Sequence, residues 1–79
     1  MLLRYKMIND FERKALIKYC ETYVGKEIIS ISYYRLPYAI DIVFKNLGKR
    51  SITFLHSTYE QEKSQIDYYI TQSRTLESG

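Results

Sequence analysis

The chain has 79 residues, 46% of them hydrophobic, and its 12 Lys and Arg residues exceed its 9 Asp and Glu residues by three. Such a length and hydrophobic content are typical of one small folded domain and exclude wholesale disorder. A net charge of +3 does not by itself indicate nucleic-acid binding. One cysteine excludes an internal disulfide, and no apolar run is long enough for a signal peptide or a membrane span.

We therefore expect a single cytoplasmic domain over 1–79 with no membrane contact. The expected ordered core covers about 8–74, between a flexible N-terminal arm and a C-terminal tail.

The first predicted element is a helix over Asn9–Val24. Asn9 suits the N-cap, Glu12 occupies the answering position of a capping box, and Gly25 can adopt the positive φ that ends a helix. At about 100° per residue, one broad apolar face collects Ile8, Phe11, Ala15, Leu16, Tyr19, Cys20 and Tyr23. On that face, Cys20 is expected to be a small buried hydrophobic residue and not a reactive thiol.

Three strands with alternating polarity follow, over Glu27–Tyr34, Tyr38–Lys45 and Ser51–Leu55. Pro37 separates the first two because it cannot donate to a sheet, and Gly48 in "NLGK" predicts a tight turn between the last two. The inward positions are Ile29, Ile31, Tyr33, Ile40, Ile42, Phe44, Ile52 and Phe54. The opposite face would carry Ile28, Val43 and Leu55 among polar residues.

A second helix follows the third strand. Two alternative capping boxes fit the start of this helix, Ser57 with Glu60 or Thr58 with Gln61. One face carries Tyr59, Ile66, Tyr69, Ile70 and Leu76, whereas Tyr68 lies well off this face and should be exposed. The last residues, "TLESG", are expected to fray.

The order of elements predicts an α+β fold, α-β-β-β-α, in which a three-stranded antiparallel meander carries two helices packed on one face. The expected core is Phe11, Leu16, Tyr19, Ile29, Ile31, Ile40, Ile42, Phe44, Ile52, Phe54, Ile66 and Ile70. The opposite sheet face is expected either to be exposed to solvent or to be partly covered, by Leu2, Leu3 and Tyr5 of the N-terminal arm or by another chain.

The sequence offers no catalytic or metal-binding motif. His56 ends the third strand without a nucleophile motif nearby, and we expect it to be a polar strand-end residue. Glu60 and Glu62 point about 200° apart on a helix, so they cannot act as an acid–base pair. We expect no catalytic residue, no metal and no cofactor.

The nine tyrosines exceed what so small a core can hold, and tyrosine is enriched at protein interfaces. The leading hypothesis is a non-catalytic module that binds a protein partner, as an inhibitor or adaptor. The Ile-, Lys- and Tyr-rich composition is compatible with a phage or mobile-element origin. The binding residues would be Tyr34, Tyr38 and Tyr68, with Ile28, Val43 and Leu55 as the face of a homodimer.

The alternative hypothesis is nucleic-acid binding through the basic hairpin, where Lys45, Lys49 and Arg50 flank the turn and Arg35 lies at the other end of the sheet. The same three cations are also typical of a solvated turn, where charged side chains keep the exposed strand edges from pairing with another chain.

The element order over Asn9 to about Arg74 resembles the double-stranded-RNA-binding domain. In that family, lysines at the start of the second helix grip phosphates, whereas this segment, "STYEQEK", carries Glu60 and Glu62. The order is also similar to that of the HicA toxin ribonucleases, whose catalytic histidine lies on the middle strand. Here the middle strand is "YAIDIVF", and His56 is on the next strand. These resemblances imply a nucleic-acid-binding protein or a ribonuclease toxin as the alternative.

Overall fold

The computed structural model of the chain describes residues 8–78. The elements are α1 (Asp10–Glu21), β1 (Ile28–Ser32), β2 (Ala39–Phe44), β3 (Gly48–Thr53) and α2 (Tyr59–Ser78). The three strands form one antiparallel sheet in the order β1-β2-β3, and the predicted α+β class is confirmed. The predicted N-terminal arm, with Leu2, Leu3 and Tyr5, lies outside the described residues.

Both helices begin at capping boxes. Asn9 Oδ1 accepts a hydrogen bond from the Glu12 amide at 2.7 Å, and the Glu12 carboxylate accepts from the Asn9 amide at 3.2 Å. For α2, the box is Thr58 with Gln61, whose two reciprocal bonds measure 2.9 and 3.1 Å. The helix then continues to Ser78, so the "TLES" part of the predicted fraying tail is helical.

The hairpin between β2 and β3 has the expected tight turn. Phe44 pairs with Gly48 and Ile40 with Ile52, which places the inward side chains of both strands on one face. Asn46 and Gly48 adopt positive φ, at 69° and 83°. Glycine enters this region without a Cβ penalty, which explains the "NLGK" sequence.

A β-bulge in β1 corrects the prediction for the first strand. The register shifts between Ile28, which pairs with Phe44, and Ser30, which pairs with Val43, so that Ile29 is an extra residue. Ile28 is therefore fully buried, whereas Ile29, predicted inward, is 58% exposed. Tyr33, also predicted inward, is exposed and donates its hydroxyl to Glu21 at 2.7 Å.

Phe11 is a second correction, since it was predicted in the core but is 81% exposed. The buried face of α1 is centred on Leu16 and Cys20. At 100° per residue, Phe11 lies about 140° around the helix from Leu16. It therefore points away from the sheet.

The core lies between the sheet and the two helices. Leu16 and Cys20 of α1 and Ile66 and Ile70 of α2 join one cluster with the inward strand residues. That cluster contains Ile8, Leu16, Cys20, Ile28, Ile40, Ile42, Phe44, Ile52, Phe54, Ile66 and Ile70, and Tyr19 and Ile31 pack at its edge. Most of the predicted core is thus confirmed, and Cys20 is buried as expected.

A polar contact joins the two helices beside the core. The Tyr19 hydroxyl donates to the Asp67 carboxylate, and the Lys63 ammonium lies 4.5 Å from the centre of the Tyr19 ring and 3.4 Å from Asp67. This hydrogen bond raises the pKa of Tyr19 well above its usual value. The raised pKa keeps the Tyr19 hydroxyl protonated, so the cluster acts as a structural contact between the helices.

Candidate functional site

The loop between β1 and β2 presents aromatic side chains to solvent. The Leu36 amide donates to the Tyr33 carbonyl at 3.0 Å, and the Tyr38 amide donates to the Arg35 carbonyl at 2.9 Å. These bonds close the turn around Pro37, which cannot donate to a sheet. Tyr34 and Tyr38 remain 71% and 59% exposed, with an exposed Leu36 between them.

A polar network around the buried Asp41 fastens this loop to the sheet. Arg35 Nη2 lies 2.6 Å from Asp41 Oδ1 and 2.7 Å from Ser51 Oγ, and the Ser51 hydroxyl donates to the same Asp41 oxygen at 2.7 Å. Hydrogen bonds from Ser51, Tyr34 and Arg35 lower the pKa of Asp41 to about 2, against the opposing effect of burial. The ionised carboxylate, on the central strand, is thus the fixed point to which the loop is tied.

The loop and the sheet enclose an open groove, called the tyrosine groove below. Its lining residues are Tyr34, Arg35, Leu36, Tyr38, Ala39, Ser51, Thr53 and Leu55. The register explains the arrangement, because Ala39 pairs with Thr53 and Asp41 with Ser51, on the sheet face away from the helices. The chain returns to this end of the sheet at Phe54, whose amide donates to the Tyr38 carbonyl at 2.7 Å.

The groove brings together three of the residues predicted to bind protein, Tyr34, Tyr38 and Leu55. Tyr68 is exposed as expected, but it lies on α2 and is not among the lining residues. Val43 is half-buried on the open sheet face, two positions beyond Asp41. Ile28 is a correction: the β-bulge places it in the core, so it cannot contribute to a surface.

Sequence reasoning missed Leu36 and assigned Arg35 only to a nucleic-acid site. An apolar residue in "YRLPY", between two tyrosines and beside a proline, was the available signal for an exposed apolar loop. The pairing of Arg35 with Asp41 had no local signal, because it depends on how the loop folds over the central strand.

The three hairpin cations do not form one surface. Lys49 pairs with Val43 on the open face, whereas Arg50 pairs with Ile42 and reaches the Tyr69 ring, 5.5 Å from its centre, on the helix side. Lys45 forms a 3.0 Å salt bridge with Glu77 of α2. Alternation along β3 thus sends neighbouring charges to opposite faces.

A second polar pocket lies where α2 meets the hairpin, lined by Gly25, Lys26, Glu27, Lys45, Ser73, Arg74 and Glu77. Arg74 bonds to Glu27 at 2.8 Å, and the buried Ser73 hydroxyl donates to the Lys45 carbonyl at 2.5 Å. The Arg74 hydrogen bond lowers the pKa of Glu27. The charges of the pocket largely offset each other and fasten α2 to the sheet.

The residues with possible chemistry are dispersed. Cys20 is buried, and burial raises the pKa of its thiol to about 12. His56 is exposed after β3 with a φ of 60°, while Asp41 is engaged by Arg35 and Ser51. Within residues 8–78, no three His, Cys, Asp or Glu side chains come together as a metal site requires. No helix in the described part of the chain is long and apolar enough to cross a membrane.

Comparison of the chain with protein-family models, with curated proteins and with solved structures finds no match.

Proposed function

We propose that this chain is a small non-catalytic binding module that contacts another protein through the tyrosine groove, as an inhibitor or adaptor. The observation that carries the proposal is the exposure of Tyr34, Leu36 and Tyr38 on a loop that Arg35 fastens to Asp41. Rigid aromatic side chains bring a large contact area at a small cost in conformational entropy, and aromatic anchors in pre-organised surfaces dominate the affinity of many interfaces.

The polar groups of the groove also favour protein contact over catalysis. Its lining contributes four hydroxyl groups and one guanidinium, and that guanidinium is already bonded to a carboxylate at 2.6 Å. The Ser51 and Tyr34 hydroxyls are hydrogen-bonded to Asp41, but a carboxylate whose pKa is lowered to about 2 is too weak a base to activate a hydroxyl as a nucleophile. A phosphate backbone would meet one cation in this groove, and that cation is already neutralised.

A capture experiment with three baits tests the proposal. The baits are the wild-type chain, the groove variant Tyr34→Ser/Tyr38→Ser, and the control Tyr68→Ser, which removes a similarly exposed tyrosine from α2. Each is incubated with extract of the native host, with and without nuclease, and retained proteins are quantified by mass spectrometry. We expect wild type and Tyr68→Ser to retain the same protein, the groove variant to lose at least about tenfold of it, and nuclease to have no effect.

Thermal melts of the three baits verify that each one is folded. Retention that is equal for all three baits would refute the groove as the contact surface. Retention that disappears after nuclease treatment would favour the nucleic-acid alternative instead.

A further inference from the structure

We propose that the outer edge of β3 binds an extended, acidic peptide segment of a partner protein, which adds to the sheet as a further strand. The inference rests on the proposed function and names the chemistry of the partner, because this edge borders the tyrosine groove and shares Ser51 and Thr53 with it. It follows from the direction of the backbone groups of β3 and from the charges that this strand carries.

Every second residue of β3 directs its backbone amide and carbonyl away from β2. The Phe54 amide donates to the Tyr38 carbonyl at 2.7 Å, which fixes the hydrogen-bonded positions of the two strands. By alternation, the outward groups are those of Lys49, Ser51 and Thr53. In the described part of the chain, no strand pairs with this side of β3. An extended strand is the partner whose own backbone groups match such a row.

Two side chains occupy the ends of this row but leave its centre open. The Lys49 carbonyl accepts a hydrogen bond from Arg50 Nη1 at 3.0 Å, and the Thr53 carbonyl accepts one from Ser57 Oγ at 3.3 Å. The backbone amide and carbonyl of Ser51 have no hydrogen-bond partner among the described residues. An added strand would bond to both groups, and the amides of Lys49 and Thr53 offer two further donors.

The opposite edge of the sheet, at β1, is closed to such an addition. The chain before β1 crosses this edge, because Val24 bridges to Ile28 and the Gly25 amide donates to the Ile28 carbonyl at 2.9 Å. The β-bulge at Ile29 then disrupts the regular spacing of the backbone groups that follow. Of the two edges, β3 is the regular one, with six residues in unbroken register against β2.

The charges on β3 determine the composition expected of the added strand. Lys49 lies on the open sheet face and Arg50 on the helix side, and within residues 8–78 neither forms a salt bridge. An added strand places side chains beside both cations, where Asp or Glu would form cross-strand ion pairs. A second copy of β3, which carries no acidic residue, would instead bring further uncompensated cations to the same edge. The charges therefore favour an acidic segment of a different protein.

Selection from a displayed library of random peptides, with the wild-type chain as bait, tests the inference. We expect the enriched peptides to alternate in polarity, to carry Asp or Glu and to lack proline at their centre. The selected peptides are then titrated against Ser51→Pro, which removes the outward amide but no bond to β2, and against Ser51→Ala as reference, since both variants lack the hydroxyl. The affinity of Ser51→Pro should be at least about tenfold lower than that of Ser51→Ala. Thermal melts verify that both variants fold.

Two further measurements do not depend on the proline variant. In the wild-type chain, a selected peptide should slow the hydrogen exchange of the Lys49, Ser51 and Thr53 amides. Lys49→Glu should weaken binding of the acidic peptide by about fivefold, and lysine in place of the acidic residues of the peptide should restore it. The control Lys18→Glu makes the same charge change at an exposed position of α1 and should leave binding unchanged.

The inference is overturned if no common sequence is enriched, if the enriched sequences lack acidic residues, or if the selected peptides bind Ser51→Pro and Ser51→Ala equally. A concentration-dependent dimer of the wild-type chain that Ser51→Pro abolishes would assign the edge to a second copy and would overturn it too. The proposed function has its own test, because Tyr34 and Tyr38 lie outside β3. Capture of a protein that depends on these tyrosines would still support the groove.

Discussion

Phe44 shows how much one side chain contributes to so small a core. It is 1% exposed on the central strand, and its ring centre lies 5.2 Å from that of Tyr69. Phe44→Ala should lower the free energy of unfolding by about 3–5 kcal/mol, because it removes a buried ring and leaves a cavity. Urea or thermal denaturation measures the loss.

Phe11→Ala is the matched control, since Phe11 is 81% exposed and its truncation should change stability by at most about 0.5 kcal/mol. Similar losses for the two variants would contradict both the register that pairs Ile28 with Phe44 and the orientation of α1.

Asp41 predicts a pH dependence of stability. Hydrogen bonds from Ser51, Tyr34 and Arg35 lower its folded-state pKa from 3.8 to about 2. A carboxylate with a lowered folded-state pKa stabilises the fold above its unfolded pKa, and the contribution is lost as pH falls through the folded value. The wild-type chain should therefore lose stability between about pH 4 and pH 2, and Asp41→Asn should lose less over that interval.

Urea denaturation of both proteins at pH 5, 3 and 2 gives the comparison. Other carboxylates also titrate in this range, so the informative quantity is the difference between the two profiles. Parallel profiles would show that the Asp41 carboxylate does not hold the loop in solution.

At the scale of elements, a substitution in the capping box of α2 tests directly where this helix begins. Thr58→Ala should lower the free energy of unfolding by about 1 kcal/mol, because the Gln61 amide loses its 3.1 Å acceptor. Ser64→Ala, at an exposed position within the same helix, should be nearly neutral or slightly stabilising. A larger loss for Ser64→Ala than for Thr58→Ala in chemical denaturation would place the helix start elsewhere.

Local patterns predicted the elements well because the signals are themselves local. Asn9 with Glu12, the alternation of β2 and Gly48 each specify their own segment within a few residues. The bulge at Ile29 could not be predicted in this way. Ile28 and Ile29 are chemically identical, and which one enters the core depends on the register against β2.

In the candidate site, too, some features could be predicted from local patterns and others could not. The exposure of Tyr34, Tyr38 and Tyr68 followed from composition and periodicity and is what the structure shows. The groove itself could not be predicted, because it requires the loop to fold over β2 and bring Arg35 to Asp41. Local propensities hold no information on such a contact between a loop and a strand.

For the whole molecule, the distribution of charge argues against a phosphate-binding track. Lys45 is paired with Glu77, Arg50 lies over Tyr69, and Lys49 points to the other face of the sheet. We expect little or no binding to duplex DNA or RNA at physiological salt. Fluorescence anisotropy with labelled duplexes measures this.

If binding occurs at low salt through three or four phosphate contacts, a plot of the logarithm of the binding constant against the logarithm of the salt concentration should have a slope of about −3 to −4. Micromolar or tighter binding at physiological salt that is lost in Lys49→Glu/Arg50→Glu would reverse the ranking of the two functions.

The central claim, that the tyrosine groove is the contact surface, is tested most directly by site-specific photocrosslinking in host cells. Benzoyl-phenylalanine replaces Tyr38 in one version of the chain and Tyr68 in another, both of which are well exposed. After irradiation, we expect a discrete protein adduct, with a second copy or another protein, from position 38 and none from position 68. Adducts from position 68 alone, or from neither position, would contradict the claim.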